Sequence, residues 1–269
     1  MKTIISCLVV GITAALWTPA AAGRIVSVPS TEARTIALAM IAAKAGDTVL
    51  VAGGTYLGEI MVKADVVLKS ASLLGAALDG GGKGTVVTLG GNATLCGFQI
   101  RNGTIGISSK SGGNAILMCR VTGNRESGIL CVGNIPSIQD NVIVFNGGSG
   151  IQGWNLSSTS AAINRNTIAF NMNNGISLGG NSLVVLESNI IAFNQNEAVK
   201  IVENVRTSMA NNDFFKNGRT PSAQPSKNYS LDPHFTAPRG KLDFSLAADS
   251  PLKSLISSIN SEIGAHFSY

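Results

Sequence analysis

Between residues 98 and 217 the apolar positions come in short β-branched runs, broken by Asn and Gly, and the broken pattern itself repeats. The phrase Asn–x–Ile–x–Phe–Asn occurs as Asn141-Val142-Ile143-Val144-Phe145-Asn146, as Asn166-Thr167-Ile168-Ala169-Phe170-Asn171 and as Asn189-Ile190-Ile191-Ala192-Phe193-Asn194. Weaker copies stand at Cys119 to Asn124 and at Asn212 to Asn217. The closing Asn residues 124, 146, 171, 194 and 217 are 22, 25, 23 and 23 residues apart. Gly106-Ile107, Gly128-Ile129, Gly150-Ile151 and Gly175-Ile176 keep the same beat, and Ala198-Val199 takes that place in the fifth copy. Self-similarity at this period marks a solenoid, in which each unit buries its apolar face only against its neighbours. A leucine-rich array would need a leucine framework and a helix or tight turn in each unit. Here runs such as Leu183-Val184-Val185-Leu186 predict strands, and no amphipathic helical stretch fits between them.

Three short strands and three turns per unit predict a parallel β-helix, with coils stacked about 4.8 Å apart. Stacking the units puts Ile116, Ile138, Ile163, Leu186 and Met209 in one column. Val121, Ile143, Ile168, Ile191 and Phe214 fall in a second, and Phe145, Phe170 and Phe193 in a third. All three are expected to line a dry interior. Asn141, Asn166, Asn189 and Asn212 share one turn and are expected to form an Asn ladder. The Gly before each Ile is expected to allow a tight turn or a left-handed backbone.

Outside the repeats, Ser30 to Lys44 predicts a helix, capped by Ser30 or Thr31, with Ile36, Met40 and Ile41 (with Ala37) as its apolar face. It reads as an N-terminal cap within residues 23–47, since an open solenoid end exposes core and strand edges. Strands are predicted at Thr48–Val51, Ile60–Val62, Val66–Leu68, Leu73–Leu78 and Thr85–Leu89, with coils running through 48–217. Arg219 to Tyr229 is polar and Pro/Ser-rich, so 218–269 reads as a loop and a C-terminal cap folding back over the last coil. One domain is expected.

The chain resembles the pectate-lyase-like family of right-handed parallel β-helix proteins, an all-β fold. The likeness rests on the opening stretch Ala45-Gly46-Asp47-Thr48-Val49-Leu50-Val51-Ala52-Gly53-Gly54-Thr55-Tyr56 and on the Asn and Gly-Ile repeats. It also rests on a closing series: Leu231-Asp232-Pro233-His234-Phe235, Asp243-Phe244-Ser245-Leu246, Ser250-Pro251-Leu252 and Ile263-Gly264-Ala265. This resemblance implies the fold and leaves the activity open, because the architecture hosts lyases, hydrolases, epimerases and non-enzymatic scaffolds.

Residues 1–22 read as a secretory signal peptide: Lys2, an apolar core from Ile4 to Trp17, then Ala20-Ala21-Ala22 before Gly23. The apolar run is shorter than the roughly 20 residues of a membrane span. Export to a periplasm or the extracellular space is the expectation. The formal charge is +5; without Lys2, 19 basic residues against 15 acidic ones leave +4. That excess is compatible with an acidic polymer, and it forms no basic cluster or motif of a nucleic-acid binder. Cys7 leaves with the signal, and the remaining Cys96, Cys119 and Cys131 are odd in number. Cys131 reads as a buried thiol, and a Cys96–Cys119 disulfide stays open. With two histidines, neither near a cysteine, no metal site is expected.

Taking Ile107, Ile129, Ile151, Ile176 and Val199 as inward, alternation turns Ser108, Leu130, Gln152, Ser177 and Lys200 outward. Trp154, Gly179 and Val202 lie beside them, and the turns add Arg125, Glu126, Glu197, Glu203 and Arg206. The resemblance implies chemistry on such a face: a base plus a cation for lyases, often calcium on aspartates, or carboxylate clusters for hydrolases. The outward file holds no aspartate, so calcium is unsupported and no cofactor is evident. Some lyases of this group use a lysine base, which makes Lys200, flanked by Glu197 and Glu203, the catalytic candidate. Gln152, Trp154, Ser177 and Arg206 are the substrate-binding candidates, with Trp154 stacking on a sugar and Arg206 meeting a carboxylate. Alginate epimerases and related lyases carry Asp-Pro-His in the groove; here Asp232-Pro233-His234 falls in the closing segment, which argues for a structural role. Two readings follow. One is an exported monomer that binds a polysaccharide, acidic or neutral, and cleaves or epimerises it. The other is a non-catalytic scaffold for adhesion, envelope assembly or maturation of a partner protein.

Overall fold

The structure is a computed structural model that describes residues 23–157, 161–219, 227–259 and 262–265. The signal peptide expected at 1–22 lies outside the described residues. Strands of three to six residues wind into a right-handed parallel β-solenoid with three sheets. The first sheet has nine strands, from Ile25–Val28 to Arg206–Ala210; the second has seven, from Ile60–Val62 to Val199–Glu203. The third has eight, from Gly54–Leu57 to Asp213–Phe215.

The first two columns stack as expected. Ile116, Ile138, Ile163, Leu186 and Met209 pair in succession along the first sheet, and the first four have no exposed surface. Val121, Ile143, Ile168, Ile191 and Phe214 do the same in the third sheet, all fully buried. Cys131 joins this interior; Cys96 and Cys119 are also buried, and all three thiols are unpaired.

The Asn ladder is present and has a twin. Asn141, Asn166, Asn189 and Asn212 each accept the backbone N–H and the side-chain amide N–H of the rung before, at 2.8–3.0 Å, except that Cys119 offers Asn141 its backbone alone. Asn228 adds a last rung. Asn124, Asn146, Asn171, Asn194 and Asn217 form a second ladder at the next corner. Each amide there satisfies backbone groups that a turn buried between coils would otherwise strand.

Two expectations about the turns are corrected. The glycines of the Gly-Ile pairs do not adopt left-handed backbone; the left-handed positions are Phe145, Phe170 and Phe193, with φ of 55°, 56° and 57°. Gly150 is required by close approach instead. A Cβ there would lie 2.6 Å from Ile168 Cγ2 and 2.9 Å from Asn171 Nδ2, so the second ladder packs directly against it. The phenylalanines do stack, with centroids 5.1 and 4.8 Å apart and rings nearly parallel. They do so outside the coil, because the left-handed residue turns its Cβ away from the interior.

That outward stack explains the C-terminal segment, which covers the flank of the third sheet as well as adding a rung at the end. Strands Phe235–Ala237 and Asp243–Leu246 form an antiparallel pair whose Phe235 and Phe244 meet the stacked rings at 6.1–6.5 Å. Helix α2 (Pro251–Ile259) buries Leu252 in the cluster formed by Ile190, Ala192 and Ile263. The cause is the composition of third-sheet strands such as Val142–Val144, apolar on both faces and therefore needing cover on both.

At the other end, α1 spans Ile36–Ala42, shorter than the expected 30–44. Thr35 caps it by accepting the Leu38 N–H, while Ser30 closes a separate turn with Ala33. Its buried face is Ile36, Ala39 and Met40, and Ile41 is 76% exposed. The strand Ile25–Val28, not expected from the sequence, joins the first sheet beneath it. Strands expected at 66–68 and 73–78 lie at Val67–Ser70 and Ala76–Asp79, since Leu74 takes a left-handed turn.

Candidate functional site

The outward file of the second sheet runs in register through Thr88, Ser108, Leu130, Gln152, Ser177 and Lys200. In its N-terminal half Ser108 is buried. Toward the C-terminal half the face opens at an irregularity. Gly153 pairs with Leu178, yet the next paired residue is Leu156, against Gly180. The extra residue makes a bulge at Trp154-Asn155, with Asn155 at φ 50°. Bulges re-aim side chains at sheet surfaces. Here Leu156 returns to the interior while Trp154 is left 53% exposed. Gly180, at φ 132°, faces the bulge: a Cβ there would lie 2.2 Å from Leu156 N.

Below the bulge lies an open groove of about 220 Å³, lined by Gln152, Trp154, Asn173, Ser177, Lys200 and Glu203, among others. The register that stacks the core also brings these residues together, from three successive coils. Ser127 donates its hydroxyl to Gln152 Oε1 at 2.7 Å, leaving the Gln152 amide nitrogen as the donor toward the groove. Asn174 at the rim accepts the Glu197 backbone N–H at 3.1 Å, tying two coils at the corner.

The expected site residues divide accordingly. Gln152, Trp154, Ser177, Lys200 and Glu203 share the groove. Glu197 lines an adjoining cleft of about 210 Å³ with Asn174, Asn196, Arg219 and, again, Lys200, which therefore borders both. Arg206 lies past the turn, at the start of the first-sheet strand Arg206–Ala210, and lines neither cavity. Sequence reasoning did not include Asn173, Asn174 or Gly153; an Asn next to a solitary Trp inside a strand was the available signal for the bulge.

The groove combines one ammonium, one carboxylate, amides, a hydroxyl and an indole. Such a set can hydrogen-bond sugar hydroxyls, pair one charge of either sign and stack on a ring face. It does not fit calcium, which takes roughly six to eight oxygen ligands; Glu203 is the one carboxylate lining it. Among the described residues no group of three or more His, Cys, Asp or Glu is placed to hold a metal ion. Asp232-Pro233-His234 belongs to the segment covering the third sheet, where His234 Nδ1 lies 3.1 Å from Asp249 Oδ1 and Ser250 donates to the Pro233 carbonyl. Among the described residues no helix is long and apolar enough to cross a membrane.

A family model described as a right handed beta helix region matches residues 83–231. Among solved structures the chain is similar to the pectate lyase Pel9A, at 14% identity and a TM-score of 0.55, covering 85% of this chain and 90% of that one. It is also similar to a double mutant of the periplasmic alginate epimerase AlgG, at 13% identity and a TM-score of 0.43, covering 67% of each chain. No curated protein matches the chain.

Proposed function

Because the chain belongs to the right-handed β-helix family and its second sheet presents one regular outward file, we propose that it is an exported protein that binds a polysaccharide in the groove at Trp154 and Lys200. One observation carries this reading. Gln152, Trp154, Ser177, Lys200 and Glu203, scattered over 52 residues of sequence, line a single cavity on that face. Trp154 supplies the stacking surface, Gln152 and Ser177 the hydrogen bonds, and Lys200 a cation for an acidic sugar. Binding needs nothing beyond these groups. Cleavage or epimerisation would need a base, and Lys200 is the candidate; a hydrolase's carboxylate pair has no counterpart among the residues lining the groove.

Affinity electrophoresis through gels containing pectate, alginate or a neutral glucan tests the reading. Retardation is expected in at least one gel, and Trp154→Ala should weaken it about tenfold or more, as loss of a stacking contact of about 1.5 kcal/mol implies. Ultraviolet absorbance of unsaturated uronate ends, present in the parent and absent in Lys200→Ala, would add lyase chemistry to binding. A folded protein that is retarded by no polymer would sink the proposal and leave a scaffold for a protein partner.

A further inference from the structure

Along the third sheet, Val142, Thr167, Ile190 and Asp213 pair in succession and form one column on its outer face. The C-terminal segment buries all four. Two of these residues grip that segment directly. Thr167 Oγ1 accepts the Ala265 N–H at 3.1 Å, and Asp213 Oδ1 accepts the Leu231 N–H at 2.7 Å. Asp213 differs from the rest of its column in being a carboxylic acid with no exposed surface. Its second oxygen, Oδ2, is buried and has no hydrogen-bond partner among the described residues.

Among the described residues the surroundings offer that oxygen no compensating charge. The strand beneath presents Ile190, and the chain neighbours are Asn212 and Phe214. From the covering segment Tyr229 pairs with Asp213 through backbone, and Asp232 acts on it as a like charge. Helix α2 packs into the same apolar cluster through Leu252, Leu255, Ile256 and Ile259, while its Lys253 is exposed. Asp243 is engaged by Ser245, and His234 by Asp249, both toward solvent.

We propose that Asp213 is a proton-operated clasp: neutral, it lets the segment beginning at Lys227 seat on the third sheet, and ionised, it loosens that seat. A buried carboxyl with one unpaired oxygen is tolerable as an acid and far more costly as an anion. Burial pushes its pKa up from 3.8 to about 7, with Asp232 adding to the rise and the Leu231 N–H opposing it. The sign follows. When seated, the carboxyl holds its proton at pH values where the released, hydrated form has lost it. Seating is therefore strongest below about pH 4, weakens as pH rises, and levels off above about 7.

Hydrogen exchange of the intact protein, corrected for intrinsic rates, tests this across pH 5 to 8. Protection of the amides of Leu231 and of 243–246 should fall about 100-fold over that range, the ratio expected for a group titrating near 4 when released and near 7 when seated. Amides of the first-sheet strands should not share the fall. Asp213→Asn should abolish it, and so should Asp213→Thr, which copies Thr167 and keeps an acceptor without an acid. Equal pH dependence in parent and in whichever of these variants folds, or no dependence in the parent, would overturn the proposal.

Discussion

A buried asparagine amide matters to this chain more for the bonds its loss would leave broken than for those it makes. Asn166 accepts two N–H groups from Asn141 and donates to the carbonyls of Ile138 and Asn164 as well as to Asn189 Oδ1. In Asn166→Ala at least two buried backbone or amide groups lose their partner. Each such loss costs about 1–3 kcal/mol, so equilibrium denaturation should show a destabilisation of about 2–6 kcal/mol. A change below 1 kcal/mol would mean that water replaces the amide and that the ladder is ornamental. At this scale the sequence was half legible. Repeated Asn at one corner announced the first ladder, and the closing Asn of each unit announced the second just as loudly. The glycines were ambiguous for a physical reason: close approach and positive φ both demand the absence of Cβ, and nothing in Gly150-Ile151 distinguishes them. The left-handed phenylalanines were hidden because Phe is an unfavourable occupant of that backbone region, admitted here by the stacking of three rings.

Strands and their order were legible because a period of 22 to 25 residues aligns like with like, and stacking of identical neighbours needs no further information. The C-terminal segment was harder. Val142-Ile143-Val144 and Ile190-Ile191-Ala192 lack the polar-out alternation of a solvated face, so a cover was required, but the pattern does not say which segment supplies it. The structure answers with Phe244, 5% exposed and tilted against both Phe145 and Phe170. Phe244→Ala should therefore lower stability by about 3 kcal/mol. It should also raise hydrogen exchange in the Val142–Val144 and Thr167–Ala169 strands while sparing Thr48–Val51. Uniform loss of protection would contradict the assignment of a local cover. The N-terminal helix was overextended for a similar reason: Ser30 and Thr35 are equally good caps by type, and only the turn between Ser30 and Ala33 decides which one starts the helix.

For the whole molecule the governing fact is that each coil touches only its neighbours, so stability is a chain of local interfaces and the ends open first. The same fact made the groove readable: the period placed Gln152, Ser177 and Lys200 in one file before any coordinate did. The bulge that returns Leu156 to the interior beyond Trp154 was not readable, since a bulge breaks the periodicity from which the file was read. The gradient from middle to end has a direct chemical readout. Cys131 lies mid-stack with no exposed surface, its thiol pushed up to about 12 by burial, so it is shielded and held protonated at pH 8. Ile201 occupies the matching inward position three coils later, in the last strand of the second sheet, and is 38% exposed. In Ile201→Cys, labelling by a thiol reagent at pH 8, resolved by peptide mass, should modify residue 201 within minutes. Cys131 should react no faster than the protein unfolds globally. Comparable rates at the two positions would mean that the solenoid opens as one cooperative body, and the nearest-neighbour account of its stability would have to be given up.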